Sequence, residues 1–452
     1  MNSLDQYLEL YRTNRGAIDA GSAEPINRLR PAAFEALCGM RLPRRGDENY
    51  ERTSVEDMFA ADYGVNINRM DFPADIARSF RCDVPNMSTL LGVVVNDTFH
   101  PTRTLLDRLP AGVTFTSLRS AARENPALVE RYYGTVADGS DPAVALNTML
   151  VQDGVLIRVE RGVRLEKPLQ LVNIFQAPTE LMALRRVLVV MEPDSEAQIL
   201  VCDHTQDPDR HYLASEVVEV ELHAGAHLDY YHIEESSALT TRHSQFFVRQ
   251  ADGSHLATGS VTLTCGSTRN SFSVDLDGEG AESQICGMAI GSGSQHIDNF
   301  VNVRHLNRRG RSNQLFKYVL DDEADGAFAG RILVAPGAAY TDAYQTNRNL
   351  LAAKSARMHT KPQLEIYNDD VKCSHGATTG QLDAEALFYM RTRGIPEDEA
   401  RTMLMQAFMS DVIDVVRMEG LRDRLRHLVQ KRFEGPGAVC GECAASCREE
   451  QH

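Results

Sequence analysis

The chain holds no G-x-x-x-x-G-K-[ST] run, so it carries no P-loop to cradle a nucleotide phosphate. It holds no G-x-S-x-G elbow either, which removes the hydrolases built on that strained turn. The G-x-G pairs at Gly278–Gly280 and Gly291–Gly293 read as strand turns. Tryptophan is absent, which decides nothing about function. Positive charge is scarce: 47 Lys and Arg stand against 63 Asp and Glu, for a formal net charge of −16. That balance argues against nucleic-acid binding, which needs clustered cations on phosphates. No apolar run approaches the ~18 residues of a membrane span. The opening MNSLDQYLELYRTNRG lacks the apolar core of a signal peptide. A cytoplasmic chain without a membrane segment is expected.

What is present suits a large globular protein. The 452 residues suggest two to three structural units, and a hydrophobic content of 43% is enough for a large core. Nine cysteines, an odd number, fit reduced thiols better than a disulfide framework. Six are isolated: Cys38, Cys82, Cys202, Cys265, Cys286 and Cys373. Three cluster near the end as Cys440-x-x-Cys443-x-x-x-Cys447.

Residues 1–150 read as mostly helical. Leu4, Tyr7, Leu8 and Tyr11 form a helical stripe, Pro31 opens a helix, Ser54 caps a short turn, and Asn125 caps a helix starting at Pro126. Thr89 to Val95 reads as a strand. Residues 151–380 carry more than a dozen short strand-like runs, from Val155–Val159 to Leu364–Tyr367, punctuated by Gly, Pro, Asp and Asn. Such a series suggests a sandwich, a barrel or a β-solenoid, and its length favours an irregular solenoid. Residues 381–433 return to helical period. Asp383 caps a helix that Gly394 ends, and Pro396 opens a second whose apolar stripe runs Met403, Leu404, Ala407, Phe408, Val412, Val415 and Val416. Residues 434–452 read as a flexible or metal-ordered tail.

Several groupings could carry chemistry. His296, Asp298 and His305 offer two imidazoles and a carboxylate, the set of a non-haem iron site, although strand-end polar residues are the plainer reading. Six histidines lie between His204 and His243, and alternating strand parity favours solvated faces over a metal site. Asp369 and Asp370 suggest an acid–base pair on a β-helix, but adjacent strand residues point apart, so a turn at Asn368 is favoured. Cys373 and His375 share parity, so on extended backbone both leave the same face, as a metal site or a thiol with its base requires, although a packed Cys and a hydrogen-bonded His are the plainer reading of the residues alone. The stretch Thr360–Gln381 that holds them also begins with Leu364 and Ile366, which look buried. Cys440, Cys443 and Cys447 have compact metal-ligand spacing, one ligand short of a closed site, with His452 able to complete it.

The run TDAYQTNRNLL (Thr341–Leu351), followed by KPQLEIYNDDVKCSHGATTGQLDAEALFYMRTRGI (Lys361–Ile395), resembles the SufB/SufD family of the SUF iron–sulfur cluster assembly system. Gln295–His296 and Phe328-Ala329-Gly330 add to the likeness, which spans about residues 150–432. PRRGDENYERT (Pro43–Thr53) is similar to a segment of the family, with Tyr50 where the family usually has Trp. Residues 347–362 hold no Cys, which favours the SufD branch over the SufB branch. The resemblance implies a mainly β fold: a right-handed parallel β-helix core between N-terminal and C-terminal helical domains. It implies a non-enzymatic scaffold that pairs with the SufB paralogue through the β-helix edge, with a homodimer as the option for the chain alone. It also implies docking of the SufC ATPase on the C-terminal helices, where Leu387, Tyr389, Arg393, Met403 and Phe408 are the candidate contacts. His375 and Cys373 match the family's functional histidine and its neighbouring cysteine. No cofactor is expected tightly bound to the chain alone; iron or a nascent cluster is expected in the complex. The competing reading is a metal-dependent enzyme on a β-helix.

Overall fold

The structure, a computed structural model, describes residues 2–72 and 88–434. The N-terminal helices form where the local signals place them. The helix Leu4–Ala20 buries Leu4, Tyr7, Leu8, Tyr11 and Ile18 along one stripe. Pro31 sits in the first turn of Arg30–Leu37. The Ser54 hydroxyl accepts from the Asp57 N–H, and the Asn125 side chain from the Leu128 N–H. These helices share a core with one outer face of the β region, where Phe59, Leu146 and Met149 pack with Leu184 and Leu188.

From Val155 to Gln381 the chain winds as a parallel β-solenoid of about eight turns. Each strand pairs with the next strand but one, so successive strands alternate between two sheets. The spacing between paired residues runs from 26 (Thr241 to Ser267) to 32 (Val155 to Val187), so no fixed sequence repeat is visible. Alternate residues point inward. Val187, Val220, Val274 and Val303 are among those filling the bore. An aromatic series, Tyr230–Phe246–Phe272–Phe316–Phe328, runs along it with centroid spacings of 4.9, 5.7, 6.4 and 4.9 Å.

The bore also holds charge. Asp203 bonds His232 at 2.9 Å and Arg185 at 3.0 Å, and Arg242 links Asp203 to Glu216. Burial pushes the Asp203 carboxyl up, but His232 and Arg185 outweigh it and hold it well below the usual carboxylate range. His232 therefore faces the core, and His243 is also buried, contrary to the solvated-face expectation for the histidines of this stretch. An interior ion network is what parity alone does not reveal.

The two ends of the solenoid differ. At the start the sheets end in short strands, Val113–Ser117 in one and Leu90–Val95 followed by Thr98–Pro101 in the other, and both close with antiparallel pairing. At the far end they stop at Arg357–Ile366 and Val371–Gln381, two long edge strands in which no residue is buried. Leu364 is accordingly only half-buried and Ile366 is 41% exposed, because no further coil covers them.

After this edge the helices Ala384–Thr392, Glu397–Val415 and Glu419–Glu434 turn back. The Asp383 carboxylate caps the first by accepting from the Glu385 and Ala386 N–H groups, and Gly394 at φ +88° ends the turn that follows it. The second and third lie on the outer face of one sheet, packing Met405, Met409, Ile413, Leu421 and Leu425 on Leu200, Ile233, Met288 and Val319. The buried stripe of Glu397–Val415 is Ala400, Met405, Met409, Val412 and Ile413; Met403 and Ala407 point to solvent. That helix is apolar around most of its surface, so spacing alone does not select the buried face. Among the described residues no helix is long and apolar enough to cross a membrane.

Candidate functional site at the open end of the solenoid

Cys373 and His375 lie on the last strand, Val371–Gln381, in register with Ala343 and Gln345 of the strand below. Both occupy inward-facing positions two residues apart, about 7 Å along an extended chain. Because no coil follows, inward here means toward the open mouth of the bore. Cys373 is half-buried and packs against the Ile332, Val334, Ala338 and Ala343 cluster. Burial pushes its thiol up, and the Asp342 carboxylate adds to that effect. His375 is exposed. The pair thus presents a soft sulfur and an imidazole on one rim, two ligands of the kind iron accepts.

Asp369 and Asp370 stand in the turn before this strand, where the Asn368 side chain accepts from the Asp370 N–H at 3.1 Å. Both are exposed, in the turn that the sequence favours. His296, Asp298 and His305 do not converge. His296 and His305 begin and end one strand, roughly 30 Å apart by the rise per residue, and differ in parity. His305 is buried against the Ser312 hydroxyl at 2.9 Å, and burial pushes its pKa down to about 4. His296 and Asp298 instead hold the N-terminal strap Pro43–Thr53 on the outer face. The Thr53 hydroxyl lies 2.8 Å from His296 Nε2 and bonds Asp298. Arg269 pairs with Asp298, donates to the Asn49 carbonyl at 2.7 Å and stacks 4.4 Å from the Tyr50 ring. Lys361 of the edge strand pairs with Glu51, so the strap reaches the open end. The aromatic at position 50 is what covers Arg269.

The candidate docking residues divide. Tyr389 (58%) and Met403 (45%) are exposed, and Arg393 stacks on Tyr389 at 5.0 Å. Leu387 is half-buried. Phe408 turns instead to the solenoid and covers Lys317. Phe388, 69% exposed, is the apolar residue the helical spacing did not single out. The helix Ala384–Thr392 buries none of its residues. Cys440, Cys443 and Cys447, like Cys82, lie outside the described residues. Among the described residues no group of three or more His, Cys, Asp or Glu side chains is arranged to hold a metal ion. The rim itself carries one Cys and one His side chain, Cys373 and His375.

The family model described as "SUF system FeS cluster assembly, SufBD core domain" matches residues 174–408, and that for the SufBD protein N-terminal region matches residues 1–171. The chain is 29% identical over 433 residues to an iron–sulfur cluster assembly SufBD family protein of Synechocystis, covering 94% of this chain and 95% of that one. It is 33% identical over 293 residues to the iron–sulfur cluster assembly protein SufD of Escherichia coli, 64% of this chain and 69% of that one. With SufD of Bacillus subtilis it shares 26% over 327 residues, 72% and 74% of the two chains. The chain belongs to the SufB/SufD family of the SUF iron–sulfur cluster assembly system.

Proposed function

We propose that this chain is a non-enzymatic scaffold in the SufD role, which pairs end to end with a SufB paralogue and presents His375 and Cys373 to iron or a nascent cluster at the seam. One observation carries the reading: the solenoid ends in two long, unburied edge strands, and both residues sit on the rim of that end. An exposed edge of this length is a template for further strand pairing. Two ligands on one rim leave the remaining positions to a partner, so the iron is held between chains. Iron is the cargo here. His375 supplies a ring nitrogen, and Cys373 becomes a ligand only as a thiolate, so metal binding must displace a proton that burial otherwise keeps on the sulfur.

The second part of the reading is that the SufC ATPase docks on Ala384–Thr392 and the exposed side of Glu397–Val415, where Phe388, Tyr389 and Met403 are exposed. Cys440, Cys443 and Cys447 remain a second candidate for iron or zinc, on their spacing alone. Replacing His375 by Ala should lower iron–sulfur cluster formation in the reconstituted complex while leaving the melting temperature of the chain unchanged. Undiminished cluster formation would overturn the reading.

A further inference from the structure

We propose that Gln345 sets the ring of His375: its side-chain carbonyl accepts the hydrogen of one ring nitrogen and leaves the other nitrogen free to take iron. This rests on the reading of His375 as an iron contact. The supporting geometry is a column of inward positions in register through successive coils, Ile285, Gln314, Gln345 and His375. Gln345 is 2% exposed, and its amide donates to Gln314 Oε1 at 2.8 Å. With that bond made, the carbonyl is the free end of the amide. The other side-chain atom, Gln345 Oε1, has no hydrogen-bond partner among the described residues.

A buried acceptor without a donor is unfavourable. Here the direction of the ladder says where the donor belongs. Gln345 gives its amide hydrogen to Gln314 in the coil below, which leaves its carbonyl for the coil above, where the residue in register is His375. Neighbouring strands are about 4.8 Å apart and the two side chains leave the same face, so the ring is within reach of the carbonyl. Gly330 makes room for this arrangement: a Cβ there would lie 2.2–2.7 Å from the Gln345 amide atoms. A neutral imidazole has one N–H and one lone pair. A carbonyl can engage only the N–H, so the lone pair is left on the other nitrogen. Fixing the tautomer of a metal-binding histidine in this way raises metal affinity by about 10- to 100-fold in general. Gln345 is thus a positioning residue, not a ligand.

The test uses the full chain with 15N-labelled histidine, and His375→Ala identifies the His375 ring signals. The wild-type ring should show one neutral tautomer. Gln345→Met should convert it to a mixture, and Gln345→Glu, which keeps an acceptor and lets the Gln314 amide turn its free NH2 group toward it, should restore a single form. In the reconstituted complex, Gln345→Met should slow cluster formation about tenfold, and Gln345→Glu should not. Identical His375 ring spectra in the wild type and Gln345→Met would overturn the inference. So would normal cluster formation by Gln345→Met in a complex that His375→Ala impairs. A His375→Ala complex that assembles clusters normally overturns the iron-contact reading itself, whatever the ring spectrum shows.

Discussion

Lys317 of the solenoid holds the helix Glu397–Val415 in place through Asp411. Its ammonium pairs with the Asp411 carboxylate, donates to the Phe408 carbonyl at 2.7 Å and lies 4.5 Å from the centre of the Phe408 ring. The lysine is almost wholly buried, whereas Asp411 is half open. Replacing Lys317 by Ala removes a charge-assisted bond to a backbone carbonyl and a cation–π contact, together about 2 kcal/mol. The expected outcome is faster amide hydrogen exchange across Glu397–Val415, with little change in the central strands. Exchange that stays unchanged in the helix would show that the apolar contacts alone hold it.

Phe388 and Tyr389 are exposed in the chain by itself, so removing them should not cost folding stability. Changing both to Ala should weaken binding of the SufC ATPase by at least tenfold, about 1.4 kcal/mol. Isothermal titration of the full chain with the ATPase measures this. Wild-type affinity in the double variant would move the docking surface elsewhere.

Arg269 and Asp298 form a buried pair beneath the strap, and removing one partner strands the other. Arg269→Ala should destabilise by about 3–5 kcal/mol, while Arg269→Met combined with Asp298→Leu should recover a large part of that loss. A double-mutant cycle from urea unfolding reads the coupling. Purely additive losses would mean that the strap is held by Tyr50 and Thr53 without the ion pair.

His305 should contribute to acid sensitivity. Burial lowers its pKa to about 4 in the folded chain, against roughly 6.5 when unfolded. Between those values the unfolded chain takes up a proton that the folded chain refuses. Stability therefore falls as pH drops from about 6.5 to about 4, by at most ~1.4 kcal/mol per pH unit from this group. His305→Gln should flatten that part of the curve when urea midpoints are compared across the window. His243, pushed down to about 3 by burial and then by Arg269 and Arg242, keeps its share of the slope in the variant.

How much of this was legible follows from which side chains line each coil. The strands from Val155 to Val334 show in the sequence because their inward positions are largely aliphatic or aromatic. Thr341–Leu351 and Val371–Gln381 do not read as strands, because their inward positions include Gln345, Asn347, Asn349, Cys373 and His375. The same polar column that hides the strands is what suits them to an open mouth. The common face of Cys373 and His375 follows from strand parity alone. The partnership of Thr53 with His296 spans 243 residues, so no local pattern could show it. The orientation of Phe408 toward Lys317 was equally hidden, because the helix is apolar on more than one side.

The unequal ends of the solenoid bear on how far assembly can go. One end finishes in short strands with antiparallel closure, and only the other offers long, free backbone. A rod that is adhesive at both ends would string into fibres. Among the described residues only one end has such an edge, and under the proposed end-to-end pairing one partner there uses up the valence, so growth halts at a pair. On that proposal, termination is written into the first coil, at the opposite end of the solenoid from Cys373 and His375.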